Sequence, residues 1–123
     1  MSNKRSEYFP KPLRAEYLGN NNWKLFNEFQ YISPKYGNVI VPIGFVTDGA
    51  SVPDFLYSIM GSPWQGGWEM PAVIHDYNYF LQSFSRNACD EMFLEGMKIC
   101  KVPFWKRQLA FAGVRLFGWL FWK

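Results

Sequence analysis

The chain is expected to fold as one α+β domain, a small antiparallel β meander followed by a cluster of three to four helices. Three observations predict this. From Leu13 to Val46, short alternating apolar runs are separated by clusters of turn residues, as in paired strands. From Ser51 onward, Ser and Pro stand at candidate helix starts ahead of longer apolar segments. The 123 residues, 49% hydrophobic and 19% charged, suffice for one core and not for two.

Residues 1–12 are polar, with Pro10 and Pro12, and are expected to form a flexible arm. The domain proper is expected over 13–123, with strands in 13–46 and helices in 51–122. "PLRAEYLGNNNWKLFNEFQYI" reads as a hairpin: a strand near Leu13–Leu18, a Gly-Asn turn, and a strand from Trp23. Trp23, Leu25, Phe29 and Tyr31 share one parity, the period of a half-buried strand. "SPKYGN" is a second turn. "VIVPIGFV" is a third strand in which Pro42 marks an edge or a bend. Ser51, three residues before Asp54, has capping-box spacing ahead of a short helix. After the loop "GSPWQGGWEM", Pro71 suits the first turn of a helix running to about Gln82. Ser85 caps another, from Arg86 to about Lys101, and Pro103 opens a last one toward Trp122.

Composition sets limits on function. A net charge of +3 without a long Lys/Arg run gives no strong nucleic-acid signal. "MSNKRSEYFPKP" contains no apolar segment of the kind a secretory signal needs. Cys89 and Cys100, on one expected helix, would stand roughly 16 Å apart at its rise per residue. That is beyond disulfide reach, so both are expected as free thiols of a reducing compartment.

The chemistry concentrates in "PAVIHDYNYFLQSFSRNACDEMF", which holds the one histidine of the chain. At 100° per residue, His75, Asn78, Tyr79 and Gln82 share one side of their helix, opposite Val73, Ile74, Tyr77, Phe80 and Leu81. On the next helix, Glu91, Glu95 and Lys98 form a solvent stripe, while Cys89, Met92, Phe93 and Gly96 face the core. Asp90 belongs to neither and needs a partner, because an unpaired buried charge is costly. A tight turn makes the two helices antiparallel, so Asp90 is expected to hold one nitrogen of His75. The other nitrogen is then free to take a proton from water. Asp76, about 100° away on its helix, is placed for a metal ion. Asp48 ends a strand before a turn, so Asp48, His75, Asp76 and Asp90 make a candidate site for calcium, magnesium, manganese or zinc. There is no second histidine and no CxxC zinc signature. Ser51 as a nucleophile lacks the G-x-S-x-G frame and is read as a helix cap.

Two resemblances bear on this stretch. "HDYNY" followed by "ACDEMF" resembles the catalytic helix pair of phospholipase A2, most of all the compact form in parvovirus capsid proteins. That resemblance implies His75 as the base activating water, Asp76 as a calcium ligand, Asp90 orienting His75, and Tyr79 bonded to Asp90. "GSPWQGGW" stands where that family keeps its calcium loop, with a different glycine spacing. The longer run from Val41 to Trp119, with "GFVTDGASVP", "HDYNY" and "CDEMF", is similar to a family of small uncharacterised proteins of tailed bacteriophages and prophages. Cys89 replaces that family's alanine before the aspartate. The likeness implies a phage origin, with the protein in the host cytoplasm during infection or in the virion.

"VPFWKRQLAFAGVRLFGWLFWK" is apolar nearly all round, and Arg115 leaves no uncharged run of spanning length. Residues 103–123 are expected to pack in the core, to meet another phage or host protein, or to lie on a membrane surface. The functional expectation is a small hydrolase using a His–Asp pair and a divalent cation, calcium favoured, on a host-envelope ester or amide. The alternative is a non-enzymatic virion or tail component, or an inhibitor of a host protein, whose motif residues form a structural polar network.

Overall fold

The strands are short because turn residues interrupt them. In the computed structural model, which describes residues 4–48, 51–61 and 67–123, Ala15–Gly19 (β1) pairs antiparallel with Asn22–Leu25 (β2). Gly19, Asn20 and Asn21 turn the chain between them at positive φ, where glycine and asparagine carry the least steric cost. Phe29–Ser33 (β3) and Gly37–Val41 (β4) form a second hairpin, Phe29 opposite Val41 and Tyr31 opposite Val39. Val46–Thr47 (β5) returns to β2, giving a three-stranded sheet β1-β2-β5 beside the pair β3-β4.

Trp23 to Tyr31, one strand by parity, is in fact two. The Leu25 amide donates to the Phe45 carbonyl and the Leu25 carbonyl accepts from Gly44, at 2.9 and 2.8 Å, which closes the first sheet there. The shared parity survives because Leu25, Phe29 and Tyr31 all enter one core cluster. The amino-terminal arm also differs from expectation over its described part. Lys4–Tyr8 is a short helix (α1), and Phe9 is buried with its ring 4.7 Å from that of Tyr31. Burying that ring outweighs the polarity of its neighbours.

The helices Asp54–Met60 (α2), Glu69–Leu81 (α3), Arg86–Ile99 (α4) and Phe104–Phe117 (α5) follow, with a 3₁₀ turn at Gly118–Leu120. The α+β order is therefore strands first and helices after. Ser85 caps α4 as its sequence position implies, its hydroxyl accepting from the Ala88 amide at 3.1 Å. Ser51 does not cap α2: Pro53 occupies the cap position, and the serine lies two residues further upstream.

α3 and α4 form a wedge between two cores. Ala72, Phe93 and Met97 pack with α2 and α5, while Val73, Ile74 and Met92 pack on the strands. As a result α3 is buried on both sides along most of its length, Val73 and Ile74 on one and the polar residues on the other. His75, Asp76, Asn78 and Tyr79 are buried, and Phe80 and Leu81 are exposed. Polar side chains go inward here because they find partners there. Glu91 and Glu95, expected in water, instead tie α4 to the second hairpin. Glu95 accepts from the Tyr31 and Ser33 hydroxyls at 2.6 and 2.8 Å, and Glu91 meets Lys35 at 3.3 Å and the Tyr36 hydroxyl. Cys89 and Cys100 are free thiols. Burial pushes them up to about 12 and about 11, so both stay protonated.

Gly96 sets the distance between α3 and α4. A Cβ there would stand 2.9 Å from Cβ of Pro71, whose ring cannot rotate away. Gly96→Ala is therefore expected to destabilise the fold by about 1–2 kcal/mol despite its better helix propensity, because overpacking costs more than the helix gains. Urea unfolding checks this, and a variant as stable as the parent would show that the two helices separate freely.

Candidate active site

Five segments contribute to one buried polar chain. β5 supplies Thr47, whose neighbour Val46 points outward, so strand alternation turns the hydroxyl inward. The turn before α2 supplies Ser51. α3 supplies His75, Asp76 and Tyr79, α4 supplies Arg86 and Asp90, and α5 supplies Arg115.

His75 is fully buried and has a partner on each ring nitrogen. Its Nε2 lies 2.7 Å from Asp90 Oδ1 and its Nδ1 2.9 Å from Ser51 Oγ. An ionised carboxylate only accepts, so the Asp90 side fixes the hydrogen on Nε2. Nδ1 of the neutral ring is then an acceptor facing the serine hydroxyl. The same hydroxyl also donates to Asp76 Oδ1, so its single hydrogen is shared in turn between that carboxylate and Nδ1, and Asp76 Oδ1 accepts as well from the Ser51 amide at 3.3 Å. Asp76 Oδ2 takes the Thr47 hydroxyl. The rings of Phe93 and Tyr79 flank the imidazole at 4.7 and 4.3 Å and hold its plane.

Asp90 is the anchor of the chain. Besides His75, its Oδ1 accepts the Tyr79 hydroxyl at 2.7 Å, and its Oδ2 faces Arg115 at 2.9 Å and Arg86 at 3.5 Å. Burial pushes this carboxyl up, but the bonds from His75, Tyr79 and Arg115 outweigh it and hold Asp90 below the usual carboxylate range. Burial and the bond to Asp90 push the Tyr79 phenol far above its usual value, so it remains a donor. Arg86 also donates to the Val114 and Arg115 carbonyls at 3.0 and 3.3 Å, locking the end of α5 onto the site.

A cavity of about 560 Å³ opens over this chain. Asp48, Ser51, Asp76 and Tyr79 form part of its lining, and Phe45, Phe80, Leu120 and Phe121 give it apolar walls. His75 is not part of the lining; it meets the lining residues Ser51, by a hydrogen bond, and Tyr79, by ring contact.

The structure brings His75, Asp90 and Tyr79 together as the helix pattern and the resemblance implied. It differs on the second nitrogen, which faces Ser51 where open water was expected. Asp76 and Asp48 line the same cavity. Among the described residues, no three His, Cys, Asp or Glu side chains are grouped so as to hold a metal ion. The glycine-rich stretch assigned to a calcium loop lies largely outside the described residues, which omit 62–66. Sequence reasoning missed the contacts of Thr47, Arg86 and Arg115, and it weighed Ser51 as a nucleophile but read it as a helix cap. Two signals were available. Pro53 favours a helix start too late for Ser51 to be its cap, and Arg115, set among the apolar residues Gly113, Val114, Leu116 and Phe117, calls for a carboxylate partner.

Fold and site together define a small α+β domain with a buried Ser–His–Asp chain beneath an apolar-walled cavity. Residues 23–114 match the family described as "Protein of unknown function (DUF1353)", and the chain belongs to that family. It is similar to two proteins of Sinorhizobium fredii (strain NBRC 101917 / NGR234). "Uncharacterized protein y4jT" is 36% identical over 98 residues, covering 78% of this chain and 29% of the relative. "Uncharacterized protein y4iH" is 35% identical over 72 residues, covering 58% of this chain and 30% of the relative. The chain thus spans less than a third of the length of either relative. No solved structure matches it.

Proposed function

We propose that the chain is a hydrolase of esters or amides in which Ser51 is the nucleophile, His75 its base and Asp90 the group that orients and steadies the imidazole. One observation carries this: Ser51 Oγ, His75 and Asp90 form a continuous hydrogen-bonded chain that meets a cavity at the serine. Nucleophile, base and orienting carboxylate are thus in the mutual order that acyl transfer uses, whatever the sequence frame around the serine. The serine oxygen bonds to the acyl carbon as its proton passes to Nδ1. That proton then leaves on the departing alcohol or amine, and water reverses the two steps.

A divalent cation, calcium by preference, would sit toward Asp48 and Asp76 and polarise the scissile carbonyl. No step above depends on it, and activity with and without a chelator tests it. A phage origin and a substrate in the host envelope belong to the same proposal, supported by the motif run from Val41 to Trp119. The phospholipase A2-like pairing is supported by the contacts of Asp90 with His75 and Tyr79.

The test is covalent labelling. An alkyl fluorophosphonate is expected to leave one adduct, on Ser51 by mass spectrometry, and His75→Gln should suppress it. Hydrolysis is assayed on acyl nitrophenyl esters, phospholipid and peptidoglycan fragments. A folded chain that takes no label and cleaves nothing defeats the proposal. The complete burial of His75 and Asp90 then supports the non-enzymatic alternative, a phage structural or host-binding protein held together by this network.

A further inference from the structure

We propose that the outward side of α5, with the 3₁₀ turn after it, docks this chain on an anionic membrane surface. The proposal is independent of the chemistry at Ser51. α5 turns Ala110, Gly113 and Val114 into the core. The opposite side of a surface helix is ordinarily polar. Here Trp105, Ala112 and Leu116 fall within about 40° of one another on that side at 100° per residue. Trp105 is 56% exposed, Leu116 65%, and Phe104 and Trp119 66% and 62%. So many large exposed apolar side chains in one segment mark an interaction site.

Charge selects the partner. From Gly96 to Lys123 the chain carries Lys98, Lys101, Lys106, Arg107, Arg115 and Lys123 and no acidic residue, a net +6. The preceding residues carry seven basic and ten acidic side chains, a net −3, which together give the +3 of the whole chain. Of the six, Arg115 pairs with a carboxylate, Asp90, while Lys98, Lys101 and Lys123 are exposed. Lys106 lies 5.6 Å from the Trp105 ring centre and Arg107 5.2 Å from that of Phe104, so cations flank the exposed rings. Aromatic rings at headgroup depth with cations beside them are what an anionic interface accepts. Among the described residues no helix is long and apolar enough to cross a membrane, so the segment would lie on the surface. Leu120, Phe121 and Lys123 also line the cavity over Ser51, so docking would bring its mouth toward the lipid.

The experiment is co-sedimentation of the whole chain with vesicles of phosphatidylcholine, alone or mixed equally with phosphatidylglycerol. Binding is expected to the mixed vesicles, roughly tenfold weaker to phosphatidylcholine alone, and to fall as salt is raised. The double variant Trp105→Ser, Leu116→Ser should lose roughly tenfold or more of the binding with its melting temperature little changed, since both side chains are mostly in solvent. Ser51→Ala should bind as the parent does, which separates this test from that of hydrolysis. A folded chain that pellets with neither vesicle overturns the proposal, as does equal binding to both. A dimer in sedimentation that the double variant dissociates, without vesicle binding, would assign the surface to a second copy of the chain instead.

Discussion

Asp90→Ala is expected to lower the unfolding free energy by about 3–5 kcal/mol, because removing one partner of a buried ionic network strands the others. Arg115, Arg86, Tyr79 and His75 all direct donors at this carboxylate. Without it, two guanidinium groups face one another around an empty space, and α3, α4 and α5 lose their common acceptor. In a domain of this size the loss corresponds to a fall in melting temperature of roughly 10–20 °C. Asp90→Asn keeps the shape and two acceptor sites, so it should lose less. The same carboxylate makes stability depend on acid. Its folded-state pKa is depressed, so its contribution is full above the unfolded value near 4. That contribution is lost as pH falls through the lower folded value. Denaturant titrations from neutral pH downward should show the parent losing this increment, with Asp90→Asn correspondingly flatter. If Asp90→Ala melts within a degree or two of the parent, the network does not hold the helices together.

Ser51→Ala carries the second large effect, and on a different quantity. Under the proposed chemistry it should lower kcat by about 10⁶-fold, and His75→Gln by a similar factor. The double variant should be scarcely worse than either, since the members of such a unit do not act additively. Stability tells the two roles apart. Ser51→Ala removes one hydroxyl, while Asp76 keeps the Thr47 hydroxyl and the Ser51 amide. A loss of about 1–2 kcal/mol is therefore expected. A variant that still hydrolyses substrate at the parent rate would remove Ser51 from the nucleophile's place and return the chemistry to water or to Asp76. Single-turnover kinetics and thermal melting of the same samples decide between these outcomes.

Local rules carried much of this molecule. Turn chemistry at Gly19–Asn21 and 34–38, the Ser85 cap, and the helical placement of His75 and Asp90 follow from neighbours a few residues apart. Such neighbours set backbone preference and side-chain direction without help from the rest of the chain. The His75–Asp90 contact belongs with these, because two consecutive helices joined by a short turn have few ways to meet. That α3 would be buried on both its apolar and its polar side was decided elsewhere. Periodicity separates two faces of a helix but does not say which one finds partners. α3 buries its polar face along with Val73 and Ile74, because Ser51 and Asp90 meet His75 there and Arg115 in turn holds Asp90.

Ser51 shows the limit most clearly. By spacing it was a helix cap, 24 residues from the histidine whose ring it meets. That contact depends on β5 pairing with β2, with Thr47 beside Trp23, which carries the following turn against α3. Long-range strand pairing leaves no periodic trace in a single sequence. The composition and motif of "HDYNY" and "CDEMF" by themselves determined that a histidine and a carboxylate would be joined. Only tertiary packing decided that the other end of that histidine would meet a serine, because a hydrogen bond across 24 residues is a property of the folded sheet and not of the chain.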